Sequence, residues 1–243
     1  MPTKTSPERD GVRLTADALT PTPIAIREPN LPEVPIWVQG TSPYMQQAFG
    51  QKQRQQMIDK MKAGTTARSR KSREARDFDA DYDASQHKSA EGWYGIPAAA
   101  FRAVAIDACR GTAYVMVAAK MALHVVADGY DARDATPLVR LIGPEPERTE
   151  MALPNANGAA DIRVRPMWRE WGARVTVRFD ADQFTASDVV NLLWRGGALI
   201  GVGEGRPGSK KSYGMGFGLF QVVNEPATVA LFAPTLREQE EQR

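Results

Sequence analysis

Alternation of apolar and polar side chains is clearest over residues 172–179 of this chain. Two arginines and a threonine alternate there with three apolar residues, as Arg174-Val175-Thr176-Val177-Arg178-Phe179. A period of two predicts a strand with one buried face and one solvent-facing side. Apolar residues then recur at helical spacing over 187–197. This second pattern predicts an amphipathic helix that is capped at Thr185 or Ser187 and ended by Gly196-Gly197.

Weaker patterns of the same kinds complete the fold prediction. The alanine-rich stretch 98–110 predicts a buried helix, and the stretch at about 44–63, rich in Gln, Lys and Met, predicts another helix. The remaining segments that read as strands or mixed structure are 34–40, 113–126, 136–142, 161–165 and 216–223. This order predicts an α+β fold, a ferredoxin-like antiparallel sheet with its helices on one face. In RNA-binding versions of that plan, the open face takes single-stranded nucleic acid.

Polar segments flank and interrupt this plan. The proline-rich residues 1–32 predict an N-terminal arm, and the domain is expected to span 33–225, with an insertion at about 44–92 and a C-terminal tail at 226–243. Within the insertion, residues 51–76 hold nine cations against two acids. Such a run cannot pack into a core, so it is either a solvated insertion or an arm that binds a polyanion. Its candidate contacts are Arg68, Arg70, Lys71 and Arg73.

A glycine-rich loop at 201–218 separates the last predicted helix from the last predicted strand. Its seven glycines and three cations predict a backbone that can approach an anion closely. The candidate phosphate contacts are Gly203, Gly205, Gly208, Arg206, Lys210 and Lys211. P-loops and dinucleotide-binding loops share some of these letters, but both must lead into a helix, and here a strand follows. The alternative is a mobile glycine loop with ordinary surface lysines.

Overall composition excludes several classes of function. The net charge is only +2, so a polyanion site must arise from local clustering. The single cysteine, Cys109, excludes an internal disulfide and a thiolate zinc site. The two histidines, His87 and His124, do not define a catalytic triad by spacing, and neither a cofactor nor a metal site is predicted. Because no apolar run is long enough to span a bilayer, we expect a cytoplasmic protein with no membrane partner.

Further polar and aromatic residues each leave two interpretations open. Four strand arginines either contact nucleic acid or solvate an outer sheet face: Arg163, Arg165, Arg174 and Arg178. Four tryptophans either stack on bases or fill the core: Trp37, Trp93, Trp168 and Trp171. Four aspartates either bind a divalent cation or neutralise the basic run before them: Asp77, Asp79, Asp81 and Asp83. Glu204 is expected to form a local ion pair with Arg206.

Several segments resemble the RAMP superfamily, which includes the backbone subunits of CRISPR effector complexes. Gly95–Arg102 resembles its strand-to-helix segment, 201–218 its C-terminal glycine-rich loop, and Gly40–Pro43 the end of its first strand. Ala160–Trp171 and Asn191–Gly218 are similar to RAMP-like proteins of unassigned function that phages and prophages encode. The chain departs from these patterns at Ala98-Ala99-Ala100, Gly205 and Leu219.

The resemblance implies an RRM- and RAMP-like protein, encoded by a phage or mobile element, that coats single-stranded RNA or DNA without catalysis. Repeated protomers would line up along the strand as a filament or ring, and Arg102 joins the candidate contacts. One alternative is a structural subunit that assembles without nucleic acid. Because some RAMP subunits cleave RNA from an aspartate, the other alternative is a metal-dependent ribonuclease that uses the four aspartates.

Overall fold

In the computed structural model, residues 28–48, 50–63, 77–154, 160–209 and 214–241 are described, and they form two antiparallel sheets and six α-helices. The helices are α1 (Gln51–Ala63), α2 (Phe78–Ala84), α3 (Ala98–Ala108), α4 (Met116–Ala122), α5 (Ala186–Leu199) and α6 (Ala233–Glu241). The strands are β1 (Glu33–Gly40), β2 (Tyr44–Met45), β3 (Gly95–Pro97), β4 (Leu123–Val126), β5 (Gly129–Tyr130), β6 (Pro137–Ile142), β7 (Glu147–Pro154), β8 (Ala160–Trp168), β9 (Gly172–Phe179) and β10 (Phe220–Val223). The predicted α+β class with an antiparallel sheet is confirmed.

Strand β9 organises the main sheet because it pairs along both of its edges. On one edge it pairs with β1, which in turn pairs with β10. Its other edge is shared, since β4 pairs with Thr176–Phe179 and β6 pairs with Gly172 and Ala173. Strands β3 and β5 then pair with β6. The alternating pattern that predicted β9 therefore marks one of the two strands, with β6, that pair with three others.

The core lies on one face of this sheet, beneath α3 and α5. The apolar positions of β1 and β9 share that face because the register places Ile36 opposite Val175 and Val38 opposite Ala173. Helix α3 adds the fully buried Phe101, whose ring lies 5.8 Å from that of Phe220 on β10. The buried helix that the alanine-rich stretch predicted is thus confirmed. A 3₁₀ turn at Cys109–Gly111 replaces the last residues of the predicted helix.

Helix α5 continues through the two glycines that were expected to end it. Thr185 caps its start by a reciprocal pair of hydrogen bonds with Asp188, as the sequence allowed. Gly196 and Gly197 are buried in its last turns. A Cβ at Gly196 would overlap Val104 of α3, and one at Gly197 would overlap the carbonyl oxygen of Phe220. These glycines allow close packing rather than termination.

A second, three-stranded sheet is formed by β2, β8 and β7, in that order. Its first strand corrects the prediction of a helix from residue 44, because Tyr44 and Met45 are buried and pair with Trp168 and Met167. Ring contacts fix the local conformation, since the Tyr44 ring lies 5.6 Å from that of Trp168 and 5.3 Å from that of Trp171. The helix itself begins only at α1.

Two other segments differ from their predicted forms, and two elements were not predicted. Residues 113–126 contain helix α4 before strand β4. The last strand starts at Phe220 rather than at 216, because Gly216 and Gly218 have φ angles of 81° and 70°, which a strand cannot accommodate. The pattern gave no prediction for the strand β7 or for the helix α2.

The predicted C-terminal tail, within the described residues 226–241, covers part of the main sheet. Phe232 is fully buried, with its ring 4.9 Å from that of Trp37 on β1. A side chain at Gly172 would overlap Phe232, so the glycine makes room for this ring. Helix α6 follows, and Glu238 lies 3.5 Å from Arg140 of β6. The sheet face opposite α3 and α5 is therefore open only in part.

None of the helices in the described part of the chain combines the length and apolar character that crossing a bilayer requires.

Gly197→Ala is predicted to destabilise the fold by about 1–3 kcal/mol, because the added methyl must displace the backbone of β10. At an ordinary helix position, the same exchange would stabilise by up to about 1 kcal/mol, so the sign of the change tests the packing. Urea unfolding followed by circular dichroism measures it. Asn191→Ala, at an exposed position of the same helix, serves as the control and should not destabilise.

Candidate functional site

The glycine-rich loop is bound to the body of the protein by its own backbone amides. The N–H of Glu204 donates to the carbonyl of Met45 at 2.9 Å, and that of Gly218 donates to Pro43 at 2.8 Å. The N–H of Val202 donates to Gly218 at 2.9 Å, which closes the loop on itself. Amides expected to point toward a ligand thus hold the loop against β2 and the turn before it.

The predicted glycine contacts have structural roles in the same loop. Gly203 and Gly205 have φ angles of 82° and 79°, in the left-handed region that favours glycine. A Cβ at Gly203 would contact Tyr44, and one at Gly205 would contact the ring of Phe217. Gly208 has an ordinary φ, but its Cβ would overlap Ile200. These glycines do let the loop backbone approach another surface closely, and that surface belongs to the same protein.

A carboxylate held by two arginines fastens this loop to β8. Glu204 accepts a hydrogen bond from Arg163 Nη1 at 2.9 Å and from Arg165 Nε at 2.8 Å. The amide of Gln47, with its nitrogen facing the carboxylate, adds donors at 3.2 Å. The side chain of Arg165 is only 8% exposed. We name Glu204, Arg163 and Arg165 the loop clasp.

The loop clasp corrects two predictions about charge. Glu204 does not pair with its neighbour Arg206, whose guanidinium instead donates to the carbonyl of Gly203 at 2.8 Å. Arg163 and Arg165 do not form an open basic face, because both are bound to Glu204. Both arginines hold the loop in place through Glu204.

The arginines of β9 lie on the open face of the main sheet, as their alternation predicted. Arg174 is exposed, and Arg178 lies opposite Glu33 of β1. Arg178 donates to Glu33 at 2.6 and 2.9 Å, which leaves this exposed pair neutral. His124, on β4, is exposed opposite Arg178. The open face consequently carries less positive charge than the sequence suggested.

Arg102 and the four tryptophans make contacts within the protein. Arg102 donates to the carbonyls of Leu123, at 2.7 Å, and Lys120, which binds α3 to the end of α4. Trp168 and Trp171 are buried, and Trp171 Nε1 donates to the carbonyl of Ser42 at 2.8 Å. For these two tryptophans the core interpretation is correct. Trp37 is covered by the C-terminal segment, and Trp93 is half-buried beside Gly95 and Gly129.

The remaining predicted contacts fall on parts of the chain for which the structure gives no description. They are Arg68, Arg70, Lys71 and Arg73 of the basic run, together with Lys210 and Lys211 of the glycine-rich loop.

A buried polar network closes the base of the predicted insertion. Gln46, which is 1% exposed, donates from Nε2 to the carbonyl of Gly95 at 2.7 Å and accepts from the N–H of His87 at 2.8 Å. Nearby, the N–H of Ala48 donates to Ser85 at 2.8 Å. Residues 49–84 therefore leave and rejoin the fold at adjacent points. We name this excursion, with α1 and α2, the basic arm.

His87 and two residues of the β5–β6 loop, Asp131 and Arg133, complete the network. His87 Nδ1 lies 2.7 Å from Asp131, whose side chain is 1% exposed. Arg133 binds the same carboxylate and also donates to the carbonyls of Ala84 and Gln86. Burial would raise the pKa of Asp131, but the amide of Arg133, the His87 ring and the Arg133 guanidinium together hold that pKa below its ordinary value.

These buried residues show that the predicted insertion is packed at both ends. Tyr44, Met45 and Ala48 are buried at its start, and Ser85–His87 and Ser89 at its end. The sequence offered no periodic signal for them, because the network is polar and its members are far apart in the chain. Most buried polar side chains in proteins are hydrogen-bonded, as those of Gln46, His87 and Asp131 are here.

The aspartate run has structural partners in the described residues. Asp77 caps α2 by accepting from the N–H groups of Asp79 and Ala80 at 3.1 and 3.0 Å. Asp79 forms an ion pair with Arg148 of β7. Across the described ranges, no group of three or more His, Cys, Asp or Glu residues is arranged to hold a metal ion. The run thus begins a helix that packs on the second sheet.

Comparison with known proteins gives no family assignment, because neither a scan of protein-family models nor a search of curated proteins finds a match. What the molecule does is therefore inferred from its own contacts and charges.

Glu204→Gln is predicted to destabilise the protein by about 3 kcal/mol, because it leaves the buried Arg165 without its countercharge. Chemical denaturation at neutral pH measures the loss. Glu170→Gln removes one exposed carboxylate from the turn after β8 and is the matched control. Equal stability of the two variants would mean that the loop clasp does not hold the loop.

Asp131→Asn is predicted to destabilise the protein at neutral pH and to lose that effect in acid. A folded-state pKa below the unfolded value contributes stability that is present above the ordinary aspartate pKa and is lost as pH falls through the lowered one. Unfolding of both proteins at pH 7 and below pH 4 checks this. Asp182→Asn, at an exposed position, is the control, and a difference that stays constant with pH would contradict the account.

Proposed function

We propose that this protein binds single-stranded nucleic acid with little sequence preference, through the basic arm carried by a ferredoxin-like, RAMP-like domain. The strand order β10-β1-β9-β4, with α3 after β1 and α5 after β9, supports the split βαβ plan. The proposal includes the binding of several copies along one strand. It assigns no catalysis, and it leaves the choice between RNA and DNA open.

The observation that carries the proposal is the combination of a fixed base with a strongly basic stretch of sequence, whose first part, α1, has exposed side chains wherever they are described. Gln46 and His87 hold the two ends of the basic arm together in the buried network. Beyond that base, every described side chain of α1 is exposed. Residues 51–76, which include α1, hold nine cations against two acids. The sequence thus concentrates positive charge between two anchored points of the fold, and the two cations whose side chains are described, Arg54 and Lys62, are exposed.

Positive charge of this density is suited to a phosphate backbone. Cations that neutralise phosphates release condensed counterions, and this favours binding without reference to base sequence. The protein as a whole is almost neutral, with a net charge of +2, so the arm is the place where such binding would concentrate. The expected affinity is therefore strongly dependent on salt and only weakly dependent on sequence.

The other predicted contacts support this interface less well. Arg163 and Arg165 are bound in the loop clasp, Arg178 is neutralised by Glu33, and Arg206 is bound to the backbone of its own loop. Phosphate would have to compete with a carboxylate for Arg163, Arg165 and Arg178. Arg174, which is exposed on the open sheet face, is the best candidate for an additional contact outside the arm.

Replacing Arg68, Arg70, Lys71 and Arg73 by glutamine is predicted to weaken binding to a single-stranded oligonucleotide and to flatten its salt dependence. Each lost phosphate contact lowers the slope of log K against log salt by about 0.7 for single strands. Fluorescence anisotropy over a range of salt concentrations measures both quantities. The same loss should be seen with oligonucleotides of unrelated sequence.

Arg206→Gln is the matched control for the glycine-rich loop, because its guanidinium is bound to the backbone of Gly203. It should change the salt slope little. If the arm variant binds with an unchanged slope while Arg206→Gln flattens it, the interface lies on the loop and the proposal is wrong.

A further inference from the structure

The turn between β5 and β6, residues 131–136, contacts the basic arm near both of its ends. Asp134 pairs with Arg54 of α1 at 2.7 Å. Arg133 donates to the carbonyl of Ala84, the last residue of α2, at 2.9 Å. A nucleic acid bound along the arm would therefore have this turn beside it where the arm meets the fold.

An exposed tyrosine stands at the start of this turn. Tyr130, the last residue of β5, is 61% exposed, and Pro137 of β6 lies directly opposite it in the ladder. In the part of the chain that the structure describes, only one other aromatic side chain is comparably exposed, that of Trp194 at 58%. An aromatic ring offers a large, flat apolar surface to a ligand. Phosphate contacts alone give no reason for such a ring beside the arm.

The backbone next to Tyr130 is fixed by hydrogen bonds. The N–H of Asp131 donates to the carbonyl of Thr136 at 2.9 Å, and the Asp131 carboxylate lies 2.7 Å from His87 in the buried network. The N–H of Ala132 donates to the carbonyl of Lys88 at 2.9 Å. A tyrosine held in this way has only two side-chain torsions to order on binding. Stacking on its ring would therefore cost little conformational entropy.

The carboxylates of the turn are bound by cations within the protein. Asp131 accepts hydrogen bonds from Arg133 and lies against His87, and Asp134 is paired with Arg54. Their negative charge is therefore offset where a phosphate backbone would approach. The turn thus presents an aromatic ring to a nucleic acid with little repulsion from its own acids.

We propose that Tyr130 stacks on a base of the strand whose phosphates the basic arm binds. The inference rests on the proposed function and adds to it the group that recognises unpaired bases. Cations bind the phosphates of single strands and of duplexes, whereas an aromatic ring needs a base whose face is free. Because every base has such a face, this contact would select single strands without reading their sequence.

The chain offers a matched control in Trp194. Its helix, α5, packs on β10 through Gly197. Strands β1 and β9 lie between β10 and β6 in the sheet, so this ring is remote from the β5–β6 turn. Removing Trp194 deletes an equally exposed aromatic side chain at a place that the proposed contact does not use.

Fluorescence anisotropy with two labelled strands of equal length tests the contact. One is oligothymidylate, and the other is an abasic strand that has the same phosphates and no bases. Tyr130→Ala should weaken binding of oligothymidylate by about 5- to 150-fold, the loss expected for one stacked base. The salt slope should not change, because no phosphate contact is lost. The abasic strand should bind the wild type and Tyr130→Ala equally, and Tyr130→Phe and Trp194→Ala should bind both strands as the wild type does.

Three results would overturn the stacking contact. If Tyr130→Ala binds oligothymidylate as tightly as the wild type, or loses affinity for both strands to the same degree, Tyr130 does not stack on a base, and phosphate binding by the arm stands. A loss of affinity for oligothymidylate in Trp194→Ala alone would place the stacking ring on α5. Wild-type protein that binds neither strand would overturn the proposed function together with this inference. Circular dichroism checks that each variant is folded, and Tyr130→Leu, which keeps an apolar side chain without a ring, should weaken binding as Tyr130→Ala does.

Discussion

One buried amide, that of Gln46, sets the relation between the folded core and the basic arm. It binds the carbonyl of Gly95 on one side and the N–H of His87 on the other, so the chain before the arm, the chain after it and β3 meet at one side chain. The His87–Asp131 contact extends the same network to the β5–β6 loop. Because a buried polar group without a partner is costly, this arrangement favours a single position for the base of the arm.

The glycine-rich loop illustrates how the protein uses charge at a second place. Its glycines and cations predict an anion-binding site. The anion found there is the side chain of the loop's own Glu204, which two arginines of β8 bind. Positive φ angles at Gly203 and Gly205 allow the backbone to follow Tyr44 and Phe217 closely. The loop joins the main sheet to the second sheet, whereas the largest excess of positive charge in the sequence lies in residues 51–76.

The sequence predicted best where local periodicity and burial coincide. Strand β9, helix α5 and the alanine-rich α3 follow from their own patterns, and the antiparallel α+β class follows from their order. Prediction from the sequence failed where contacts with residues far away in the chain determine the local structure. Tyr44 lies in a strand, where two tryptophans pack on it. Gly197 lies inside a helix that packs closely on β10. Glu204 pairs with arginines of β8 rather than with its neighbour Arg206. Such pairings leave no periodic trace in the sequence.

Replacing residues 51–76 with a short Gly/Ser linker tests the central claim most directly. Gly50 lies against Ala84, and α2 spans only about 10 Å, so a short linker can join Gly50 to Asp77 without disturbing the buried base. The account predicts a protein that unfolds cooperatively with nearly the wild-type melting temperature and no longer binds single-stranded oligonucleotide. A folded variant that binds with undiminished affinity would contradict it.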